Sequence, residues 1–356
     1  MLHGHGGDIY SLAGKIGVEL SELADFSSNI SPLPLPREFI EFLASSLGQI
    51  SMLPEVDSLG LRRALASRFG LFPENFIACA GTTEWIYRIA RVTPAEQAVI
   101  PVPAYSDYMD AALMAGLNVV ESGPWPDGRP GTDVRVLADI CSRIDRPTIV
   151  YLCNPNNPTG RFITPLAIVE AAKDAPGALW VIDESYAPFI ADDNESSVIS
   201  NDMPPNILVL RSFSKIYRIP GLRLGYVAGS RKTIADLATH LLPWATGRLA
   251  QLAGEYLLKM EDYEERVRSF WQGEKEKFLR ATDAVAWLEY LPGQTHFMLF
   301  RVLPPWSAEK VVSTLSNSGI LVRNCANFRG LEGEHIRIAL RTPEDNMRLV
   351  ARLESF

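Results

Sequence analysis

The chain has 356 residues, of which 47% are hydrophobic and 21% charged, and this balance is typical of a globular protein rather than a disordered or fibrous one. Its length is sufficient for two domains, or for one large domain and one small one. The formal net charge of -8 argues against nucleic acid or an anionic membrane as a partner, because both attract basic surfaces. An anionic ligand would therefore need a local basic pocket.

In chain order, an arm punctuated by Gly and Pro comes first, with a short amphipathic stretch near residues 9–22. From about residue 58, helical and strand patterns alternate, which predicts an α/β fold with a mostly parallel sheet covered by helices. The predicted strands are the apolar runs NFIACAG, AVIPVPAY, TIVYLCNP, LWVIDESY and ILVLRSFSK. A long helical region is predicted over about 244–283, and HFMLFRV, GILVRNC and HIRIALR then predict strands of a smaller α+β unit.

Cysteine usage and the first residues indicate the compartment. The four cysteines are scattered and include no C-x-x-C pair, so they suggest neither a structural zinc site nor a disulfide framework. The opening MLHGHGGDIY lacks the basic and apolar segments of a secretion signal, and no uncharged apolar run reaches about 18 residues. We expect a reduced, cytoplasmic protein with no metal site and no membrane span.

Polar stretches follow the predicted strands at their carboxyl ends. They are GTTE, PAYSDY, NPNNPTG, DESY and SFSK. In open α/β sheets, ligands lie beyond these strand ends. Taken singly, GTTE could be only a helix cap, NPNNPTG only a turn, and the acidic pair in DESY only solvated charge. Together, the stretches favour one ligand site.

Three of these stretches carry a family resemblance. NPNNPTG, DESY and SFSKIYRIPGLRLGY, in this order and at these separations, resemble the fold-type I pyridoxal-phosphate (PLP) enzymes of the class I/II aminotransferase superfamily over nearly the whole chain. The opening HGGDIYSLA followed by DFSSNISPL is similar to that of threonine-phosphate decarboxylases, which are related to histidinol-phosphate aminotransferases. The resemblance implies a PLP-binding α/β domain over 47–245, a small α+β domain over 246–356, an arm of residues 1–46 packed with the small domain, and a homodimer.

The resemblance also implies a set of cofactor residues. Lys215 would hold PLP covalently as a Schiff base, since burial and nearby cations lower the pKa of a lysine enough to free its amine. Asp183 would keep the ring nitrogen protonated, and Asn157 and Tyr186 would bond the phenolic oxygen. Arg218 is either part of the phosphate site or a surface residue. The remaining cofactor residues are Tyr105, stacked on the ring, and a phosphate cradle of Gly81, Thr82, Thr83, Ser212, Ser214 and Arg223.

Substrate residues follow from the same resemblance. Arg337 would bind the α-carboxylate through its bidentate guanidinium, the alternative being a salt-bridged strand arginine. Arg323, fourteen residues earlier (337 − 323), would help bind a substrate phosphate. Leu53 stands where the family commonly has a tyrosine that reaches the neighbouring subunit's site. The remaining expected substrate residues are His5, Gly6, Asn29 and Asn157.

The expected activity is decarboxylation of O-phospho-L-threonine to (R)-1-aminopropan-2-yl phosphate in cobalamin biosynthesis. The alternative enzyme is an aminotransferase acting on histidinol phosphate or an aromatic amino acid. A non-catalytic binding protein is disfavoured because Lys215, Asp183 and Arg223 are all present. Residue types do not separate the two enzymes, since both would use the same lysine, electron sink and carboxylate arginine.

Overall fold

The computed structural model describes residues 6–123 and 133–356. No helix in these ranges combines the length and apolar character needed to cross a membrane. The strands are β1 (Ala24–Asp25), β2 (Phe76–Cys79), β3 (Gln97–Pro101), β4 (Asn118–Ser122), β5 (Thr148–Cys153), β6 (Ala178–Asp183), β7 (Ile207–Ser212), β8 (Gly225–Gly229), β9 (Leu288–Leu291), β10 (Phe297–Val302), β11 (Ile320–Leu321), β12 (Arg323–Asn324) and β13 (His335–Ala339). The α-helices are α1 (Ile9–Ile16), α2 (Arg37–Ser45), α3 (Leu59–Phe69), α4 (Thr82–Val92), α5 (Ser106–Met114), α6 (Val134–Ser142), α7 (Pro165–Asp174), α8 (Asp193–Ser196), α9 (Phe213–Ile216), α10 (Arg231–Ala238), α11 (Arg248–Leu257), α12 (Tyr263–Thr282), α13 (Ala308–Ser316) and α14 (Pro343–Glu354).

The central element is a seven-stranded sheet of order β2-β8-β7-β6-β5-β3-β4. β8 runs antiparallel to both of its neighbours, and the other neighbouring pairs are parallel. The strands β3, β5 and β7 are buried along their whole length, which explains why their sequences are nearly continuous apolar runs rather than alternating ones. The predicted α/β class with a mostly parallel sheet is confirmed.

The arm pairs with strands from the last part of the chain. β1 pairs in parallel with β11, so that Ala24 lies opposite Ile320. The amide of Ala339 in β13 donates to the carbonyl of Phe26 at 2.9 Å. β13 is itself part of an antiparallel sheet of order β12-β13-β10-β9. The arm therefore pairs with strands of the predicted small domain, while the domain boundaries themselves remain a prediction.

Two predicted elements are divided in the structure. The helical region over 244–283 is two helices, α11 and α12, and Tyr263 at the start of α12 is fully buried and stacks on Tyr217 with 5.8 Å between ring centroids. The run GILVRNC forms β11 and β12, which belong to different sheets. The arm strand β1 pairs with the first part of that run and β13 with the second.

Candidate active site

One cavity of about 490 Å³ lies at the carboxyl ends of the parallel strands. All five polar stretches lie at it, and so does the arm. The predicted site residues that line it are Gly6, Asn29, Thr82, Thr83, Tyr105, Asn157, Asp183, Tyr186, Ser212, Ser214, Lys215, Arg223, Arg323 and Arg337. Gly81 lies beside the cavity, as the cap of α4. His5 lies outside the described residues.

Lys215 lies in the single turn of α9, directly after β7. Burial lowers the pKa of its amine to about 8, and the positive charges of Arg337 and Arg223 act in the same direction, whereas Asp183 opposes them. The carbonyl of Lys215 accepts the amide of Ser31 at 2.9 Å, which fixes the arm against this turn. A pKa near neutrality leaves part of the amine unprotonated, as a nucleophilic lysine requires.

Asp183 is the last residue of β6, and its side chain is held by two donors. The hydroxyl of Tyr108 donates to Oδ2 at 2.7 Å, and the amide of Ser185 donates to Oδ1 at 3.0 Å. Burial, and next the Asp183 carboxylate, raise the pKa of the Tyr108 hydroxyl, which keeps this group protonated as a donor. The carboxyl group of Asp183 is therefore fixed in orientation at the wall of the cavity.

An anion cradle is formed where α4 begins. Gly81, the cap of α4, has a φ of 90°, and Arg223 has a φ of 50°, which is uncommon for a residue with a side chain. A Cβ on Gly81 would lie 2.6 Å from Nη2 of Arg223, so glycine allows the guanidinium to lie against the helix start. The first amides of a helix have no intrahelical acceptor, and they attract anions.

A serine hydroxyl adds a free donor beside this cradle. Ser214 Oγ is buried and has no hydrogen-bond partner within the described residues, and its amide donates to Ser212 Oγ at 3.2 Å. An unpaired buried hydroxyl is costly unless a ligand satisfies it. The helix start, the guanidinium of Arg223 and the hydroxyl of Ser214 together fit the phosphate of PLP.

The arm contacts side chains that line the cavity. Asn29 Nδ2 donates to the hydroxyl of Tyr186 at 3.2 Å. Arg337 donates to Asn157 Oδ1, and its Nη2 donates to the carbonyl of Ser27 at 2.7 Å. Burial raises the pKa of the Tyr186 hydroxyl, which therefore remains protonated near neutral pH. The arm thus helps to hold side chains of both sheets around one space.

Arg337 and Arg323 lie directly opposite each other in the antiparallel pair β13 and β12. Neither guanidinium forms a salt bridge with a carboxylate in the part of the chain that the structure describes. Arg323 donates to Asn327 Oδ1 at 2.7 Å and lies over the ring of Phe328 at 5.3 Å. Burial lowers the pKa of both guanidinium groups, and Arg337 lowers that of Arg323 further. Like charges directly opposite each other destabilise a sheet, so this pair favours an anionic ligand.

Several lining residues were not predicted. Tyr108, which holds Asp183, lies three residues after Tyr105 on α5, and this helical spacing is the signal that could have indicated it. In the arm, Asp25 Oδ1 accepts both the amide and the hydroxyl of Ser27, at 2.9 and 2.6 Å. Cys153 ends β5, and burial raises the pKa of its thiol. These residues shape the cavity.

Arg218 and Leu53 lie away from this cavity. Arg218 is partly buried and donates to the carbonyls of Ser31 and Pro32 at 3.2 and 2.9 Å. It therefore fixes the arm. This role differs from the two alternatives predicted for Arg218, which were the phosphate site and the protein surface. Leu53 is 76% exposed. Its side chain does not line the cavity of the chain that carries it.

A comparison with known protein families identifies the family of this chain. A family model described as aminotransferase class I and II matches residues 21–353. The chain belongs to this family. Members of the family are PLP-dependent, and the lysine, the fixed aspartate and the anion cradle of this chain fit that cofactor. The predicted family and cofactor are confirmed.

Curated relatives carry more than one activity. The threonine-phosphate decarboxylase of Salmonella typhimurium is 31% identical over 358 residues, covering 99% of this chain and 96% of that protein. Histidinol-phosphate aminotransferase 2 of Archaeoglobus fulgidus is 32% identical over 334 residues, covering 93% of this chain and 92% of that protein. The adenosylcobalamin biosynthesis bifunctional protein CobDQ of Leptospira interrogans is 30% identical over 97% of this chain, which spans only 40% of that protein.

Solved structures agree on the fold. The L-threonine-O-3-phosphate decarboxylase of Porphyromonas gingivalis is similar with a TM-score of 0.82 and 28% identity, covering 94% of this chain and 99% of that chain. The histidinol-phosphate aminotransferase of Sinorhizobium meliloti in complex with pyridoxal-5'-phosphate has a TM-score of 0.85 at 24% identity, covering 97% of this chain and 93% of that chain. The second likeness shows the fold alone.

Proposed function

We propose that the chain catalyses the PLP-dependent decarboxylation of O-phospho-L-threonine to (R)-1-aminopropan-2-yl phosphate, as a step of cobalamin biosynthesis. The observation that carries this proposal is the cross-strand pair of Arg323 and Arg337, which lines the cavity without a carboxylate partner among the described residues. Two guanidinium groups on one side of a cavity suit a substrate with two anionic groups.

The anion-binding groups of the cavity can be divided between the cofactor and the substrate. The start of α4, with Arg223 and Ser214, would hold the cofactor phosphate. Arg337 would bind the substrate's α-carboxylate, since its Nε is buried and unpaired within the described residues. Arg323 is then left for a second substrate anion, together with the arm residue Asn29, which lines the same cavity.

The remaining residues of the site would orient the cofactor and move one proton. When bound, PLP supplies an electron sink for the negative charge that develops at the substrate's Cα. Lys215 would hold the cofactor until the substrate amine replaces it, and its Nζ would then deliver a proton to the carbon that loses carbon dioxide, for which a pKa of about 8 is suitable. Asp183 would bind the ring nitrogen, Tyr105 would stack on the ring, and Asn157 and Tyr186 would bond the phenolic oxygen.

The comparisons support this proposal and also its alternative. The relatives named threonine-phosphate decarboxylase and CobDQ favour a place in cobalamin biosynthesis. The relative named histidinol-phosphate aminotransferase 2 is as similar, and it favours an aminotransferase. The two arginines would also bind the two carboxylates of 2-oxoglutarate. An aminotransferase would use 2-oxoglutarate as the acceptor of the amino group and convert it to glutamate. An assay must therefore separate the reactions.

The test uses the purified PLP-loaded enzyme with phosphothreonine and no 2-oxo acid. The proposal predicts release of carbon dioxide and formation of the amino alcohol phosphate, with threonine turned over far more slowly. Histidinol phosphate is supplied with 2-oxoglutarate in a parallel reaction. Turnover only in that second reaction would refute the decarboxylase and support the aminotransferase.

A homodimer is the second part of the proposal. Two neighbouring segments, 47–56 and 242–244, are joined where the amide of Trp244 donates to the carbonyl of Val56 at 3.0 Å. They expose a set of large apolar side chains, each at least half exposed: Leu47, Ile50, Met52, Leu53, Val56, Leu242 and Trp244. An apolar patch of this kind favours a protein partner, and a second copy is the partner that the family resemblance implies. A monomeric mass by light scattering would refute the homodimer.

A further inference from the structure

A network of mostly buried charged side chains and one tyrosine lies beside the segments that carry Lys215 and Asp183. We call it the back network, and its members are Arg68, Glu184, Asp193, Arg211, Tyr217 and Glu264. Successive side chains of a strand point to opposite faces. Asp183 and Ser212 line the cavity, so their neighbours Glu184 and Arg211 face away from it. Glu184 is fully buried, and Arg211 is 4% exposed.

The contacts of the back network are short and continuous. Arg211 donates through Nε to Glu184 Oε2 at 3.0 Å and through Nη1 to Asp193 Oδ1 at 2.8 Å. Arg68 donates to Asp193 Oδ2 and Glu264 Oε2, each at 2.6 Å. The hydroxyl of Tyr217 donates to Glu264 Oε1 at 2.6 Å and accepts from Arg68 Nη1 at 3.2 Å. Each arginine thus joins two acids, and the tyrosine closes the chain of contacts.

Members of the network adjoin site residues on separate segments. Glu184 follows Asp183, Arg211 precedes Ser212, and Tyr217 lies two residues after Lys215. We propose that the back network is a positioning device that sets the Lys215 amine relative to the Asp183 carboxylate. The inference rests on the proposed role of Lys215 as the residue that holds PLP, and it does not depend on which reaction follows.

Stability alone does not explain this arrangement. Buried ion pairs are costly to desolvate, and apolar side chains of similar volume often stabilise a fold as well or better. What an arginine fork adds is direction, because its planar donors fix the angle and distance of each acid. Glu264 lies in the first turn of α12, so the same contacts also fix that helix against the segment that carries Lys215.

The mildest test is Tyr217→Phe. It removes the hydroxyl that joins Glu264 and Arg68 and keeps the ring, which stacks on Phe213 with 5.4 Å between centroids. The matched control is Thr282→Val at the other end of α12, where a buried hydroxyl donates to the carbonyl of Phe278 at 3.1 Å. Both variants lose one buried hydroxyl that makes two hydrogen bonds, but only Tyr217 adjoins the site.

Five quantities are measured for each protein: the PLP affinity of the apoenzyme, the pH midpoint of the bound cofactor's absorbance, kcat, KM and the melting temperature. Tyr217→Phe should weaken PLP binding and lower kcat by roughly two- to tenfold, the range that one hydrogen bond supports. Its absorbance midpoint should shift while KM stays within about twofold. Thr282→Val should lower only the melting temperature. Equal behaviour of the two variants would overturn the inference.

Repeating the measurements in the variant Lys215→Ala separates failure of the inference from failure of the proposed function. Lys215→Ala should lose the absorbance of covalently held PLP, and adding Tyr217→Phe should then leave the remaining PLP affinity unchanged. A further loss of affinity in the double variant would show that the network supports the pocket in general, which contradicts the inference. If Lys215→Ala keeps the wild-type absorbance, the proposed role of Lys215 is refuted, and the inference with it. Arg211→Lys, which cannot join Glu184 and Asp193 in the same fork, should reproduce the effects of Tyr217→Phe.

Discussion

Replacing Arg323 by alanine tests the substrate's second anionic group. Arg323 lies opposite Arg337 in β12 and β13, is partly buried, and is oriented by Asn327 and Phe328. If it binds the substrate phosphate, Arg323→Ala should lower kcat/KM for phosphothreonine. The same change should leave kcat/KM for threonine, which has no phosphate, nearly unaltered.

The size of the loss follows from the burial of the guanidinium. Truncating one partner of a buried, hydrogen-bonded charge pair costs about 2–5 kcal/mol or more. Arg323 is only partly buried, so the lower part of this range applies. A cost of about 2–3 kcal/mol corresponds to a fall of roughly 30- to 150-fold in kcat/KM. Removing a like charge opposite Arg337 should meanwhile leave the stability of the apoenzyme unchanged or raise it by about 0.2–1 kcal/mol.

The assay compares phosphothreonine and threonine for the wild type, Arg323→Ala and a control, Arg301→Ala. Arg301 lies in β10 of the same sheet and pairs with Glu289 at 2.9 Å outside the cavity. Carbon dioxide release gives kcat/KM, and the cofactor's absorbance shows whether PLP binding is intact. An equal fall for both substrates, or a fall in Arg301→Ala of the same size, would refute the assignment of Arg323 to the phosphate.

Three further predictions concern the cofactor. Asp183→Asn should bind PLP but lower kcat by roughly 10²-fold, since the ring nitrogen loses its charged partner; an unchanged kcat would mean that another acid acts there. In the apoenzyme, the unfolded chain binds more protons at Lys215 than the folded chain does between pH 8 and about 10.4, so wild-type stability relative to Lys215→Met should rise with pH across this window and stay level below it. Urea unfolding at several pH values checks this, and parallel pH profiles would contradict it. Leu53→Tyr should be tolerated and should not weaken PLP binding in a fluorescence titration, whereas a sharp loss of activity would show that Leu53 packs in a site unlike the family's.

The sequence was informative where burial alone determines structure. β5 and β7 were predicted because both faces of each strand are covered, which requires an uninterrupted apolar run. The strand β8 was missed because GYVAG is short and contains two glycines, and because nothing in it indicates that it runs antiparallel to β7. A pattern of burial does not encode the partner strand.

The site residues that could be predicted were likewise those whose signal lies within one segment of the sequence. Lys215 and Asp183 lie in motifs that are contiguous in sequence, so their place at the strand ends could be predicted. The contact between Arg68 and Glu264 joins residues 196 positions apart, and neither lies in a motif. Tyr108 lies in the stretch PAYSDY, but its contact with Asp183 joins residues 75 positions apart. Contacts between distant segments follow from packing, which the sequence of either segment alone does not specify.

The pairing of β1 with β11 has a consequence for the order in which the protein is made. Ala24 pairs with Ile320, so about 300 further residues must be synthesised after the arm before its partner strand exists. At about 5–20 residues per second, this interval is roughly 15 to 60 seconds. During that time the arm has no strand to pair with, and β13, which carries Arg337, has not been synthesised. The segments that carry the cofactor residues therefore emerge from the ribosome before the strands that carry Arg323 and Arg337.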